Sequence, residues 1–527
     1  MKDRVSLTDF LMYHKETHPI SFHMPGHKGR GTLYGIYGFG DFIKNVVGND
    51  ITEIPGADAL QQPRERIKDI MEGYAGLYGV KHTELLVNGS SAGLMASILG
   101  SVSRGGKLLM GRNSHRSVYG ALRLGGIDPV YIMPEIDDET GLQLGLDPNK
   151  IEAALIKDPD IKAVLVTSPN YYGVLSDIER IASVVHLHGR ILIVDQAHGA
   201  HLKFFDYLRS EDGLPHRAAE NCGADVVVDS THKTLLSFTG SAILNICTER
   251  PDVSRISELL RMLQTTSPSY LLMGSLDINQ QILRMDGYNL IKNWDADIKY
   301  FYEEAAQIAG LGLIDRIDLD ETKVSITMSA LGLSGPKLAE ELEKRNIWVE
   351  LTHGDYVMLM TGIGNERGDY EDVLSALRDL SVQYSGRIQG VKSESSVSKT
   401  EPAAQNAAQK QAKNEAQAAN KNVSQPLDKI TELRTPSSDS ALIERLEQRK
   451  IPDTYEEVPL YSAEGRVLYE SIIPYPPGSP IACPGEVLNK SVILYVRDQL
   501  VAQHVVLGVD EEGRVKVESD CVLFKEI

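Results

Sequence analysis

Residues 226–244 read VVVDSTHKTLLSFTGSAIL. An apolar run typical of a buried strand ends at Asp229, and Ser230, His232 and Lys233 follow within four positions. Burying a lone ammonium group is costly, and a site that does not pair it lowers its pKa toward that of a neutral amine. Such a lysine either is unfavourably placed or takes part in the chemistry of the protein, and the rest of the sequence distinguishes these two alternatives.

Short apolar runs alternate with helix-like segments on both sides of this stretch. The runs are TELLV (83–87), KLLMG (107–111), PVYIM (129–133), AVLVT (163–167), ILIVD (191–195), ADVVVD (224–229) and SAILNI (241–246). This alternation is typical of βα units and predicts an α/β fold with one mostly parallel, seven-stranded sheet. Ligands of such sheets lie beyond the carboxyl ends of the strands, so the residues after each run are the candidates for function.

Composition changes along the chain predict further units. Residues 254–309 are typical of long helices, and residues 324–380 mix the short strands VSITMS, WVELT and YVMLM with helices such as GPKLAEELEKR. The predicted divisions are an N-terminal segment (1–60), a large domain (61–290), a small α/β domain (291–390), a linker (391–440) and a C-terminal α+β domain (441–527).

The last two units differ sharply in composition. The linker is rich in Ala, Gln, Asn, Lys, Ser and Glu, and such a segment buries too little apolar area to offset its ordering entropy. The C-terminal domain carries the proline-rich loop PYPPGSPIACPGE and two β-like runs, SVILYVRD and QHVVLGVDEEGRVKV.

Charge and cysteine content exclude several classes of protein. The net charge of −19 argues against a nucleic-acid partner, which would need a basic face. No segment approaches the roughly 20 uncharged apolar residues of a membrane span. The four cysteines lie far apart without a CxxC pair, so neither a zinc site nor a disulfide framework is indicated, and we expect a cytoplasmic protein without a metal.

The turn after the first run, NGSSAG (88–93), opens a helix. Backbone N–H groups at the start of that helix, with the hydroxyls of Ser90 and Ser91, would hold a phosphate group. An ordinary helix cap is the alternative, and it stays open here. The spacing matches neither a dinucleotide-binding GxGxxG motif nor a P-loop.

Two further runs end at chemically useful residues. His115 follows KLLMG, and Asp195 closes ILIVD with His198 three positions later. A capping or surface role for His115 and a helix cap for Asp195 are the plain alternatives. A buried carboxylate needs a cation or several hydrogen-bond donors beside it.

Asp195 and Lys233 stand 38 positions apart, about the length of one helix–strand unit, so they reach the same edge of the sheet from nearby strands. A phosphate cradle, a buried aspartate and a lysine at a strand end together describe a site for pyridoxal phosphate. The lysine binds the aldehyde as a Schiff base, and the aspartate keeps the pyridine nitrogen protonated.

Seven separated motifs resemble the bacterial ornithine/lysine/arginine decarboxylases, a family of fold type I pyridoxal phosphate enzymes in the aspartate aminotransferase superfamily. They are SFHMPGHKGR (21–30), NGSSAG (88–93), RNSHRS (112–117), DQAHGAH (195–201), DSTHKT (229–234), QTTSPSYLLMGSLD (264–277) and PYPPGSPIACPGE (474–486). The chain resembles the short form, with no N-terminal wing before the first motif.

The resemblance implies roles for individual residues. Lys233 would form the Schiff base, Asp195 would face the pyridine nitrogen, His115 would stack on the ring, and His198 would lie close to it. The residues expected to hold the phosphate and the rest of the cofactor are Ser90, Ser91, Ala92, Ser230, His232 and, from the neighbouring subunit, Thr266. The last assignment implies a homodimer, or a larger oligomer, with shared active sites.

Recognition of the substrate is less defined by the sequence. Glu486, in the CPGE turn, is the candidate partner for a distal cation of the substrate, and a purely structural role in that turn is the alternative. His23 and His27 could line the entrance, although Pro25 and Gly26 favour a tight turn. Gln196 stands where many relatives have Glu, which could alter the hydrogen bonds around Asp195.

The resemblance implies decarboxylation of arginine, lysine or ornithine to an amine used in polyamine synthesis, with loss of CO2. Another reaction on the same fold, such as an aminotransferase or lyase, remains an alternative. A third possibility is a PLP-binding regulator without activity, and the presence of Lys233, Asp195 and His115 speaks against it.

Overall fold

The computed structural model describes residues 6–394, 446–447, 449, 451–452, 454–475, 480–501 and 505–519, with side chains left out at 386–394 and 475. The predicted linker lies outside the described residues from position 395 onward, so it stays a prediction, as do the predicted domain divisions.

The described chain forms helices and strands throughout its length. The helices are α1 (Leu7–Glu16), α2 (Gly31–Ile36), α3 (Gly40–Lys44), α4 (Val46–Asn49), α5 (Arg66–Tyr78), α6 (Gly89–Ser101), α7 (Arg116–Gly125), α8 (Pro148–Lys157), α9 (Ile178–Leu187), α10 (Leu202–Glu211), α11 (Thr231–Thr234), α12 (Val253–Leu263), α13 (Tyr270–Ala305), α14 (Gly335–Glu343), α15 (Arg367–Glu394) and α16 (Lys490–Val501).

The strands are β1 (Ile20–Phe22), β2 (His82–Leu86), β3 (Lys107–Gly111), β4 (Asp128–Ile132), β5 (Ile161–Thr167), β6 (Ile191–Asp195), β7 (Val226–Asp229), β8 (Ala242–Ile246), β9 (Gly312–Leu313), β10 (Lys323–Thr327), β11 (Ile347–Val349), β12 (Leu351–His353), β13 (Tyr356–Met360), β14 (Tyr455–Pro459), β15 (Ile473–Tyr475), β16 (Val505–Leu507) and β17 (Arg514–Glu518).

The seven predicted runs become the strands of one sheet, in the order β2-β8-β7-β6-β5-β3-β4. Strand β8 is antiparallel to both of its neighbours, and the other pairings are parallel. The prediction of a mostly parallel, seven-stranded sheet is therefore confirmed. The carboxyl ends of β5, β6 and β7 lie side by side.

Helices cover both faces of this sheet, which explains why its strands are apolar without alternation. On one face, α6, α7 and α12 bury residues such as Leu94, Val118 and Ile256 against the strands. On the other face, α8 and α9 bury Ile151 and Ile181. The two layers fix the strand ends, and with them the residues that follow each strand.

A smaller antiparallel sheet, in the order β12-β13-β10-β9, packs against α14 and shares its apolar core with residues of α15 such as Val373 and Leu377. The predicted helices and short strands of this region are present. Strand β1, near the start of the chain, pairs in parallel with β11, with Ile20 beside Ile347. The N-terminal segment is thereby held next to the smaller sheet.

The C-terminal unit contains two strand pairs, β14 with β17 and β15 with β16, and the helix α16. The run SVILYVRD was expected to be a strand, and the structure corrects this, because it lies within α16. Val492 and Val496 are four positions apart and both are buried in the core of the unit, which is a helical spacing. The side chain of Asn489 accepts a hydrogen bond from the Val492 N–H at 2.9 Å and caps the helix. The second predicted run does form β16 and β17.

Within the residues that the structure describes, no helix is both long and apolar enough to cross a lipid bilayer.

Candidate active site

A cavity of about 620 Å³ opens at the carboxyl ends of β5, β6 and β7. It brings together many of the residues predicted from sequence. Those that line it are Ser90, Ser91, His115, Asp195, His198, Ser230, His232 and Lys233. The structure thus brings these side chains together, and their roles as site residues remain predictions.

Lys233 lies on α11, one short turn beyond the end of β7. Its side chain is partly buried and ends 2.9 Å from Nε2 of His198. Burial lowers the pKa of Lys233 to about 8, the charge of Asp195 opposes this shift, and the charge of Lys323 adds to it. An amine with this pKa has a sizeable unprotonated fraction near neutral pH and can act as a nucleophile.

Asp195 is the last residue of β6, and its side chain is buried. One carboxylate oxygen accepts a hydrogen bond from the Ala197 N–H at 3.2 Å. Burial raises the pKa of Asp195, and the nearby charge of Lys233 lowers it. The next helix, α10, begins only at Leu202, so the alternative in which Asp195 caps a helix does not apply.

His198 is held from two sides. Its backbone carbonyl accepts a hydrogen bond from Nζ of Lys323 at 3.0 Å, and its ring meets Tyr171 edge-on at 4.9 Å between ring centroids. Lys323 also donates to Asp320 at 3.2 Å. Burial moves the pKa of His198 well below its usual range, and the charges of Lys233 and Lys323 push it in the same direction. The ring is therefore neutral at physiological pH.

His115 is the residue before α7, and its Nδ1 accepts a hydrogen bond from the Ser117 N–H at 3.3 Å. It does act as a cap, and its ring lines the cavity as well. Burial lowers the pKa of His115 to about 4, so the ring is neutral. With Nδ1 accepting, the single ring proton sits on Nε2.

The N-terminus of α6 forms a small cradle at one side of the cavity. Asn88 precedes the helix, and its side chain makes no capping hydrogen bond to the first N–H groups of α6. Gly89 adopts a φ of 71°, and its N–H donates to the Gly240 carbonyl, which sets the angle at which the chain enters the helix. Uncapped N–H groups beside Ser90 and Ser91 favour an anion.

Three predicted residues lie outside the cavity lining. Ala92 is buried in α6. Thr266 is exposed and does not line the cavity of its own chain. Glu486 is buried and bound to Arg112 at 2.8 Å, which corrects its predicted place at the distal end of the substrate pocket.

Among the remaining residues named from the sequence, some line the cavity and others do not. His23 lines the cavity together with Met24 and Pro25, whereas His27 packs edge-on against Tyr34 and Phe238. The side chain of Gln196 turns away from Asp195 and hydrogen-bonds Asp229 and Glu220, both at 3.0 Å. The predicted influence of Gln196 on Asp195 therefore has no direct contact behind it.

The structure adds lining residues that the sequence analysis did not name. They are Asn113, Thr167, Asn170, Tyr171, Trp348, Glu350, Ile481 and Tyr495, among others. Thr167 ends β5, and Asn170 and Tyr171 follow it, so the strand-end argument could have found them. Trp348 and Glu350 belong to the smaller sheet region, and no motif in the sequence connects them to the site.

Glu350 is the one carboxylate besides Asp195 among the described residues that line this cavity. Its two oxygens accept hydrogen bonds from the hydroxyl of Tyr171 and from the Met24 N–H, both at 3.0 Å. These contacts fix the carboxylate at the cavity wall.

The site contains polar atoms that lack partners. Within the described part of the chain, Oγ of Ser230, Oγ1 of Thr167 and Nδ1 of His198 are buried without a hydrogen bond. Buried polar atoms are normally satisfied, so orphaned atoms around a cavity indicate a ligand that supplies their partners. A phosphate-bearing cofactor with an aldehyde fits a cradle, an orphaned serine and a lysine of lowered pKa.

Comparisons with known proteins agree with this chemistry. Residues 5–311 match the profile "Orn/Lys/Arg decarboxylase, major domain", and residues 439–509 match "Orn/Lys/Arg decarboxylase, C-terminal domain". An arginine decarboxylase of Bacillus anthracis is 29% identical over 95% of this chain and 94% of its own. An arginine decarboxylase of Bacillus subtilis is 30% identical, with the same coverage.

The fold matches a solved structure as well. Lysine decarboxylase A from Pseudomonas aeruginosa superposes with a TM-score of 0.69 at 19% identity, over 97% of this chain and 80% of that one.

Proposed function

The chain belongs to the Orn/Lys/Arg decarboxylase family and decarboxylates a basic amino acid; from this premise we propose that the amino acid is arginine and that Lys233 binds pyridoxal phosphate. One observation carries the proposed site, namely that Lys233, Asp195 and His198 meet at one end of the sheet in a cavity with an uncapped helix N-terminus. The proposal of arginine rests on the two arginine decarboxylases that are 29–30% identical over nearly the whole chain.

The residues proposed to hold the cofactor are those around the cavity. The first turn of α6 and Ser230 would hold the phosphate, His115 would pack on the ring, and Asp195 would face the pyridine nitrogen. When bound, pyridoxal phosphate supplies an electron sink for the charge left at Cα as CO2 departs.

Lys233 contributes an amine of which a part is unprotonated at neutral pH. Its lowered pKa, about 8, leaves a usable unprotonated fraction at neutral pH, and Nε2 of His198 lies within hydrogen-bond distance. His198 is neutral, so its Nε2 can accept a hydrogen bond from the Lys233 ammonium and hold it in place, and the proton stays on Lys233, which has the higher pKa. The pair is suited to deliver a proton inside the cavity after CO2 has left.

Asp195 contributes a fixed negative charge. A buried carboxylate that faces a heterocyclic nitrogen keeps that nitrogen protonated, provided that the carboxylate itself stays ionised. Its hydrogen bond from Ala197 and the nearby cation Lys233 both stabilise the ionised form against the effect of burial.

Glu350 is the proposed partner for the distal cation of the substrate, in place of Glu486. It lies at the cavity wall with two hydrogen bonds already made, and an ionised carboxylate offers about four acceptor positions in total. The free positions could receive a guanidinium group, which prefers paired, charge-assisted hydrogen bonds.

We also propose that the protein acts as a homodimer. Helix α1 buries none of its residues within one chain, although it carries several apolar side chains. Those that are at least half exposed are Phe10, Leu11, Met12 and Tyr13. Val47 in α4 is 89% exposed. Four successive exposed apolar side chains in one helix indicate a contact surface, and a second copy of the chain is the proposed occupant, with its Thr266 reaching the neighbouring site.

The test is a direct assay of the purified protein, supplied with pyridoxal phosphate and given arginine, lysine or ornithine in separate reactions. We expect release of CO2 and of the matching amine, with the highest kcat/KM for arginine. A higher kcat/KM for lysine or ornithine contradicts the proposed substrate. Formation of a keto acid in place of CO2 contradicts decarboxylation itself.

A further inference from the structure

Arg112 and Glu486 form a buried ion pair between the large sheet and the C-terminal unit. Nε and Nη2 of Arg112 donate to the two carboxylate oxygens of Glu486 at 3.1 and 2.8 Å. The two side chains are 3% and 5% exposed. Paired hydrogen bonds of this kind fix direction as well as distance.

The remaining donors of the arginine are also used. Nη1 donates to the Pro480 carbonyl at 2.8 Å and to the hydroxyl of Tyr119 at 3.0 Å, and Nη2 donates to the Ile481 carbonyl at 3.4 Å. The guanidinium lies 5.6 Å from the ring centroids of both Tyr119 and Tyr131. Arg112 therefore hydrogen-bonds both the backbone and a side chain of the segment 480–486.

The carboxylate oxygens of Glu486 are also occupied by hydrogen bonds. Besides Arg112, it accepts the Cys483 N–H at 2.7 Å, which closes the turn around residues 483–486. Every strong partner of the carboxylate is thus either Arg112 or its own turn. This leaves Glu486 unavailable to a substrate.

The segment 480–486, which Arg112 binds, contributes to one wall of the cavity. Pro480 and Ile481 line it, together with Tyr495 from α16. On the opposite side of the same pair, Asn113 and His115 follow Arg112 by one and three positions, and both line the cavity. The ion pair therefore sits between two stretches of cavity wall that are more than 360 positions apart in the chain.

The ion pair connects the C-terminal unit to the rest of the chain. Among the described residues, Arg112 and Glu486 form the one ion pair that joins positions 446–519 to positions 6–394. Removing one partner of a buried pair leaves the other charge without compensation, which is far more disruptive than losing a surface pair.

We propose that Arg112 and Glu486 are positioning residues that seat the C-terminal wall of the substrate cavity against the loop that carries His115. The inference rests on the proposed function, because it assumes that this cavity receives the amino acid. Neither residue touches the reacting atoms. Loss of the pair therefore weakens substrate binding more than it slows the chemical step.

The test compares three variants of the full-length protein with wild type. E486Q keeps the size of the side chain and removes its charge, and R112M removes the other partner. The double variant R112M/E486M replaces both charges with apolar groups of similar length. The control is E470Q, which removes the charge from one partner of a partly exposed pair with Lys516 in the same C-terminal unit, outside the cavity lining.

Two kinds of measurement are made on each variant. Hydrogen exchange followed by mass spectrometry reports on residues 480–501, and steady-state kinetics gives KM and kcat after cofactor content has been checked by absorbance. For E486Q and R112M we expect faster exchange in 480–501, normal cofactor content and a KM raised by about tenfold or more, with kcat changed by less than about threefold. E470Q should match wild type in all of these.

The double variant guards against a general folding defect. Because it leaves no uncompensated charge, its thermal stability should be closer to wild type than that of either single variant. Its exchange in 480–501 and its KM should remain raised, since the directional contacts are gone.

Two results separate the inference from the proposed function. If wild type decarboxylates a basic amino acid while E486Q and R112M keep the wild-type KM and exchange, the positioning role is wrong. If the exchange changes as expected but wild type turns over no basic amino acid, the proposed function is wrong and the structural link stands. An equal loss of kcat in all three variants together with lost cofactor would also overturn the positioning role.

Discussion

Nζ of Lys233 lies 2.9 Å from Nε2 of His198, and the backbone carbonyl of that histidine accepts a hydrogen bond from Lys323 of the smaller sheet. The reactive amine, a neutral imidazole and a second buried ammonium thus form one connected row. Lys323 is 0% exposed and is paired with Asp320. Its charge lies close enough to Lys233 to favour the unprotonated amine.

Replacing Lys233 with alanine removes the amine that the mechanism requires. We expect kcat to fall by about a thousandfold or more, and borohydride to fix no cofactor to the peptide that contains position 233. The matched control is K203M, since Lys203 is also buried but lies outside the cavity lining and hydrogen-bonds Asn221. Wild-type turnover by K233A would remove the basis of the proposed function.

The cofactor-free protein should become more stable as pH rises from about 8 to 10.5. The pKa of Lys233 is about 8 when folded, against an ordinary value of 10.5, so between these values the unfolded chain binds more protons than the folded one. A shift of this size corresponds to about 3 kcal/mol. Because burial of the charged amine is unfavourable below pH 8, K233M should gain stability over wild type there.

Urea unfolding of wild type and K233M between pH 7 and 10.5 measures this effect. The stability advantage of K233M should be largest at pH 7 and should shrink by about 3 kcal/mol by pH 10.5. K203M supplies the reference for a lysine removed elsewhere. A difference between wild type and K233M that does not vary with pH would contradict the lowered pKa.

Replacing Asp195 with asparagine keeps the shape of the site and removes its charge. We expect cofactor to remain bound while kcat falls by about a hundredfold or more, because the carboxylate no longer stabilises a protonated ring nitrogen. Cofactor content by absorbance and steady-state kinetics check this. The D195E variant, which restores the charge, should recover part of the activity, and full activity of D195N would contradict the assigned role.

Replacing Glu350 with glutamine tests the proposed partner of the substrate cation. We expect KM for arginine to rise by about tenfold or more, because a charge-assisted contact becomes a neutral one. The control is E343Q, which removes an exposed carboxylate at the end of α14. An unchanged KM in E350Q would assign the substrate cation to another group.

The exposed apolar residues of α1 test the proposed dimer. The variant L11D places a charge on that surface and should lower the mass measured by light scattering, and with it the activity if Thr266 completes the neighbouring site. The control is I317D, which changes an isolated apolar residue that is 92% exposed. A monomeric wild-type protein with full activity would contradict shared active sites.

The large sheet could be predicted because its strands are short, apolar and regularly spaced by helices. Most of the site followed from the same regularity, since Asp195, His115 and Lys233 each stand at or just after a strand end. The order of strands, and the antiparallel direction of β8, could not be obtained in this way, because they depend on pairing between distant segments.

Two errors have physical causes. The run SVILYVRD is rich in β-branched residues, yet tertiary packing of Val492 and Val496 selects a helix over the strand that local propensity favours. Glu486 was expected to face substrate because its motif lies near the site, but the sequence does not show that Arg112, 374 positions away, occupies its carboxylate. Glu350 was missed for the same reason, because its neighbours Met24 and Tyr171 come from remote parts of the chain.

The parallel pairing of β1 with β11 has a consequence for how this protein is made. Ile20 emerges from the ribosome 327 residues before its partner Ile347. At about 5–20 residues per second, this delay lasts some tens of seconds. During that time His23 and Met24 have no strand to hold them, so a nascent chain that ends before β11 lacks a complete cavity, however well its large sheet has already folded.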